Sequence, residues 1–158
     1  MTMATTNHTL LHPELVLLDV MAFNQEELLR ELSSQLLSKG YVKDSFADAV
    51  IAREKTFPTG LVTSGVCVAI PHTDAIHVVK PGILIANLRE PVIFKEMGNG
   101  VNDIKVEIIF LLAINKPESQ IGVLKKLMNI FSKADVLLEL KHAKSVLETL
   151  EILNQEIA

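Results

Sequence analysis

Residues 105–114, KVEIIFLLAI, are apolar almost without alternation. A strand with one face in water alternates apolar and polar side chains, whereas a strand covered on both faces does not. This run therefore reads as a central strand with cover on both sides. Such a strand needs helical layers on both faces, which points to an α/β chain.

The rest of the chain can supply those layers. Residues 15–18 read as a short strand. A helix follows, with Asn24 as N-cap, Glu27 placed as in a capping box, and Phe23 with Leu28 as the hydrophobic staple. Leu28, Leu29, Leu32, Leu36 and Leu37 form one apolar stripe, and Gly40 is a natural stop. A second helix is expected over 44–55, with Phe46, Ala47, Val50 and Ile51 inward and Arg53 and Glu54 in its last turn. Pro58 and Gly60 then force a loop, FPTGLVTSG. Residues 67–70 read as a buried strand, 83–88 as another, 91–94 as extended and 97–100 as a turn. Pro117 suits the first turn of a helix whose buried stripe is Ile121, Leu124, Leu127, Met128 and Phe131. Two shorter helices are expected over 135–140 and 143–153. The expectation is a single-domain sandwich, a mixed β-sheet flanked by helices, over 10–153. A flexible N-terminus, 1–9, precedes it, and a tail, 154–158, follows.

The 158 residues are 49% hydrophobic, enough for a sizeable core in one domain, and 22% charged. Aromatics are only 4%, so the core must be mostly aliphatic. The net charge of −4, without a basic run, argues against a nucleic-acid partner. The single cysteine, Cys67, rules out an internal disulfide and reads as a small buried hydrophobe. No apolar run approaches the ~18 residues of a membrane span, and no secretion signal opens the chain. A cytoplasmic location without membrane insertion is expected.

Chemistry concentrates at VAIPHTDAIHV, residues 68–78. A residue before proline is pushed to extended geometry, so Ile70 should close a strand. Proline offers no ladder donor, so the chain should leave the sheet and set His72 at its rim. A neutral imidazole with an ordinary pKa near 6.5 is a nucleophile at neutral pH. One nitrogen attacks while an acceptor on the other fixes the tautomer. Position alone rather favours a histidine that merely caps a strand end. Arg53 could clamp a phosphoryl group bidentately, or be a solvated helix-end arginine. Thr56, Thr59, Thr63, Ser64 and Thr73 offer hydroxyls, and Gly60 and Gly65 allow close approach of an anion. His72, Asp74 and His77 also invite a zinc reading, but their spacing matches no usual ligand pair on one helix, and no metal or cofactor is expected. His8, His12 and His142 have no expected partner in the sequence around them and read as surface or structural.

These residues carry a resemblance. SGVCVAIPHTD is similar to the histidine motif of enzyme IIA components of the bacterial sugar phosphotransferase system, in the fructose–mannitol class. AREKTFPTGL, IHVVKPGILIANLREPVIFKEMG and VEIIFLLAINKPESQIGVLKKLMNIF resemble further parts of that family, over about 10–153. The PHTD…HV and PV.F..MG forms resemble its galactitol-type branch most closely. The resemblance implies an α/β sandwich. It also implies that His72 accepts a phosphoryl group on Nε2 from phospho-HPr, with Arg53 stabilising it, and passes it to a cysteine of a IIB partner that serves a membrane IIC component. Many mannitol- and fructose-type members carry a second histidine at the start of the helix after the central strand. Here Gln120 stands in that place, able to donate an N–H but not to become charged; His77 is a possible substitute imidazole. A regulatory relative, whose phosphorylation state controls a protein target, would use the same chemistry.

Overall fold

The structure, a computed structural model, describes residues 10–157. The expectations for residues 1–9, and the reading of His8, lie outside the described residues.

A 3₁₀ turn at Pro13–Leu15 leads into β1 (Val16–Val20), followed by α1 (Gln25–Ser38) and α2 (Phe46–Thr56). Two very short strands, β2 (Gly60–Leu61) and β3 (Val68–Ala69), precede a second 3₁₀ turn, Ala75–His77. Two long strands follow, β4 (Gly82–Lys95) and β5 (Asp103–Ala113). Three helices close the chain: α3 (Pro117–Phe131), α4 (Ala134–His142) and α5 (Val146–Ile157). The five strands form one mixed sheet in the order β1-β4-β5-β3-β2. β4 and β5 pair antiparallel, β1 runs parallel to β4, and β3 runs parallel to β5.

The run that reads as a central strand is β5, with a neighbour on each side and an apolar layer on each face. Ile109, Leu111 and Ala113 point into the core under α1 and α2. Ile108, Phe110, Leu112 and Ile114 point into the core under α3, α4 and α5, where the rings of Phe110 and Phe131 meet at 5.1 Å. The expected α/β sandwich with a mixed sheet is therefore the observed fold.

Several elements differ from expectation for local reasons. The segments 83–88 and 91–94 are one strand, β4, interrupted by a bulge. Asn87 pairs with Ile108 and Val92 with Val106, so residues 88–91 stand against Glu107 alone. Pro91 falls inside that bulge, where its missing N–H disturbs no ladder. The strand expected over 67–70 narrows to Val68–Ala69, and the FPTGLVTSG loop contains β2, which pairs antiparallel with β3. Asn24 caps α1 through Glu27 N–H at 2.8 Å, and the Glu27 carboxylate takes the Phe23 N–H at 2.7 Å. The hydrophobic staple is absent because Phe23 is 92% exposed. Leu37 also faces outward. In α3 the buried stripe is Val123, Leu127, Ile130 and Phe131, while Ile121 and Met128 are exposed. That helix has apolar residues on several faces, so periodicity alone cannot orient it. α5 continues past the expected end near Leu153 to Ile157, because Thr149, Leu153 and Ile157 form one buried stripe at helical spacing. Most of the segment expected as a tail is thus helical. Cys67 is half-buried and packs against the core under α1 and α2.

Candidate functional site

The site forms where three pieces of chain meet. The last turn of α2 carries Arg53 and Thr56. The chain then turns through Pro58 and Thr59 into the β2–β3 pair, which delivers His72 just beyond the sheet. The β4–β5 turn supplies the opposite wall, with Gly98 and Gly100 at φ 96° and 64°, a backbone region that side chains rarely allow. Together they enclose a cavity of about 400 Å³, lined among others by His72, Arg53, Thr56, Met97 and Asn99.

The chain leaves the sheet gradually at Pro71. β3 ends at Ala69, but Leu112 N–H still donates to the Pro71 carbonyl at 3.0 Å. Proline lacks a donor, not an acceptor, so one more inter-strand bond survives. This holds the backbone rigid up to the residue before the imidazole.

His72 Nδ1 lies 2.8 Å from the Ile70 carbonyl oxygen. A carbonyl only accepts, so Nδ1 carries the proton and, in the neutral ring, Nε2 carries the lone pair. Burial is the main influence on the ring's charge and lowers its pKa below the usual 6.5. The Ile70 hydrogen bond opposes this, Arg53 adds to the lowering, and Asp74 weakly opposes it. The result at neutral pH is an uncharged imidazole with a free lone pair on a defined atom.

Arg53 brings positive charge beside it. Its Nε is buried without a hydrogen-bond partner, and its guanidinium carbon lies 5.0 Å from the centre of the Phe57 ring. Among the described residues no carboxylate lies within ion-pair distance of Arg53. Its charge therefore remains available to an incoming anion.

The other expected site residues divide. Thr56 lines the cavity, but its hydroxyl donates to the Ala52 carbonyl at 3.2 Å, so toward the cavity it offers lone pairs. Ser64 is exposed in the β2–β3 loop and does not line the cavity. Thr73 is buried, and its carbonyl accepts the Gln120 side-chain N–H at 3.0 Å. Gln120 thus steadies the backbone after His72 from the first turn of α3. His77 Nδ1 meets the Ser45 hydroxyl at 2.8 Å, which ties the second 3₁₀ turn to the start of α2. Among the described residues no three His, Cys, Asp or Glu side chains are arranged to hold a metal ion. His12 and His142, expected without partners, have them: His12 Nε2 lies 3.3 Å from the Pro81 carbonyl and its ring meets Tyr41, and His142 Nδ1 contacts the Leu138 carbonyl.

Two features escape a reading by residue type. The acceptor that orients His72 is a main-chain carbonyl, which no side-chain motif announces. Glu54 is buried behind the site instead of being a helix-end surface charge, with Thr59 bonded to both of its carboxylate oxygens. A glutamate followed by a threonine five residues on, across a proline, was the only available signal.

Comparison with known proteins agrees with this geometry. The family model described as phosphoenolpyruvate-dependent sugar phosphotransferase system, EIIA 2, matches residues 9–156. The galactitol-specific EIIA component of Escherichia coli K12 is 31% identical over 113 residues, covering 72% of this chain and 75% of that one. The crystal structure of the mannitol IIA from Escherichia coli superposes with a TM-score of 0.74 at 30% identity, covering 90% of this chain and 97% of that one. The Escherichia coli mannitol enzyme IIA solved in complex with phosphorylated mannitol enzyme IIB gives 0.76 at 29% identity, covering 92% of this chain and 99% of that one. Matched over nearly its whole length, the chain belongs to the EIIA 2 family of the phosphoenolpyruvate-dependent sugar phosphotransferase system.

Proposed function

We propose that the protein is a phosphocarrier that takes a phosphoryl group onto His72 Nε2 from phospho-HPr and passes it to a IIB cysteine. The observation that carries this reading is the 2.8 Å contact of His72 Nδ1 with the Ile70 carbonyl, because it leaves Nε2 as the nucleophilic nitrogen beside Arg53. In the first step the Nε2 lone pair attacks phosphorus. The bond to the donor's imidazole breaks, and the leaving nitrogen keeps the electron pair. The product on this chain is a phosphoimidazolium, with Nδ1–H still bonded to Ile70. In the second step an incoming thiolate displaces His72, and the N–P electrons return to Nε2. Arg53 offsets the charge on the equatorial oxygens in both steps.

The surroundings suit a carrier. The cavity holds one arginine and few fixed donors, so the cargo is cradled without being trapped. Ile76, four residues after His72 in the chain, is exposed and is assigned to the docking rim. No described helix is long and apolar enough to cross a membrane, which fits a partner that works in the cytoplasm and reaches the IIC component through IIB.

The test is phosphorylation by phosphoenolpyruvate, enzyme I and HPr. One acid-labile, alkali-stable phosphate per chain is expected, and none in His72→Ala. Incorporation that survives this substitution refutes the reading.

A further inference from the structure

Behind the cavity lies a buried carboxylate that the transfer chemistry does not touch. Glu54 is 3% exposed. Both of its oxygens are taken by one residue: Thr59 N–H donates to Oε2 at 2.7 Å and the Thr59 hydroxyl donates to Oε1 at 2.8 Å. The same hydroxyl accepts the Ile70 N–H at 3.2 Å. Ile70 in turn supplies the carbonyl that receives His72 Nδ1–H. A single residue of backbone thus connects the buried pair to the imidazole.

A carboxylate is an expensive way to hold a loop. Desolvation pushes the Glu54 carboxyl up to about 7, and this outweighs the two bonds from Thr59 and the nearby Arg53 charge, all of which act downward. Arg53 is the charged group that faces it. An apolar side chain would fill the same space without that penalty. What an apolar side chain could not do is orient the Thr59 hydroxyl. Its two bonds to Glu54 hold Thr59 in place, so that Oγ1 stands where it accepts the Ile70 N–H. The carboxylate therefore helps to hold Ile70, and with it the carbonyl that receives His72 Nδ1–H, in place.

We propose that Glu54 and Thr59 are positioning residues: through the backbone of Ile70 they fix the Nδ1–H tautomer of His72 and the direction of its Nε2. This rests on His72 as the phosphoryl acceptor, although the positioning itself can be read without any transfer. Thr59→Val keeps the shape and removes the hydroxyl, Thr59→Ser restores it, and Glu54→Gln keeps the size and removes the charge. The readouts are the His72 tautomer by ¹⁵N NMR of the unphosphorylated protein and the rate of phosphoryl acceptance from phospho-HPr. The native chain should show Nδ1–H. Thr59→Val should show a mixture of tautomers and accept phosphate about tenfold more slowly, the worth of roughly one buried hydrogen bond. Thr59→Ser should return both toward native. If Thr59→Val does not fold, Glu54→Gln is judged by the same two readouts. A folded variant with native tautomer and rate overturns the proposal, and so does a slow variant whose tautomer is unchanged and which serine does not rescue. Should the native chain accept no phosphate from HPr while the tautomer still shifts in the variants, the functional reading falls and the positioning stands.

Discussion

At the scale of single residues, His72 is set apart by its environment. Any histidine can attack phosphorus when neutral. This one is held neutral chiefly by burial, with its proton parked on Nδ1. Its capacity to accept a phosphoryl group should therefore persist below pH 6.5, the ordinary value, and decline only in more acid solution. Rates measured from pH 5 to 8 check this; a midpoint above 6.5 would contradict it. Arg53→Ala should slow transfer by about ten- to a hundredfold, the worth of a charge-assisted hydrogen bond or two. Its melting temperature should barely change, since the arginine makes no ion pair among the described residues. Arg53→Lys should recover little, because a point charge cannot reproduce a planar fork. Stopped-time phosphorylation and a thermal melt separate these outcomes. His72 and Arg53 stand out in the sequence as candidates because each is a residue type with a chemistry. The Ile70 carbonyl was not, since every residue has one. Nor was the burial of Glu54, because a glutamate at a helix end ordinarily faces water.

At the scale of elements, the cavity depends on how closely the β2 strand approaches β4. A Cβ on Gly60 would stand 2.6 Å from the Lys95 carbonyl oxygen and 3.3 Å from Phe94 Cβ. The Gly60 carbonyl also receives Met97 N–H at 2.7 Å, which ties the β4–β5 turn to this loop. Gly60→Ala must therefore push backbone against backbone. It should cost about 1–3 kcal/mol by urea denaturation and slow transfer by moving the wall at Met97; a variant of native stability would deny the close packing. The elements themselves were unevenly legible. β5 stood out because ten residues repeat one message, and the α1 cap because Asn24 and Glu27 are local partners. β2 and the full length of β4 did not, because pairing is a property of two distant segments. Gly60 with Ala69 and the bulge at Pro91 have no signature within either segment alone. The outward face of α3 is not legible in the sequence for a related reason: Ile121 is 62% exposed although apolar, and only the position of the sheet decides which side is in.

At the scale of the whole molecule, two cores back a single sheet, and Glu54 and His72, desolvated at the sheet's rim, make stability depend on pH in opposite senses. The folded-state value for Glu54 is raised, from 4.5 to about 7. Between those values the native state binds the extra proton, so stability falls as pH rises through this window and levels off above it. The value for His72 is lowered, so the unfolded chain binds more protons below about 6.5 and stability falls there as pH falls. Glu54→Gln should remove the first slope and leave the second, which chemical denaturation across pH 4.5–8 would reveal. Phe110→Ala, in the centre of β5 against Phe131, should cost about 3–5 kcal/mol in the same assay. The hydrogen bond from Nδ1 to Ile70 matters at this scale as well. It ties the ring to backbone that is itself bonded to the sheet, so on the proposed function a phosphoryl group on Nε2 would leave the imidazole's orientation unchanged. On the proposed function, the empty and loaded molecules would then differ chiefly by the phosphoryl group itself and its negative charge. A visiting protein would then distinguish the two by that group and its charge, and dissolved salt would weaken the distinction.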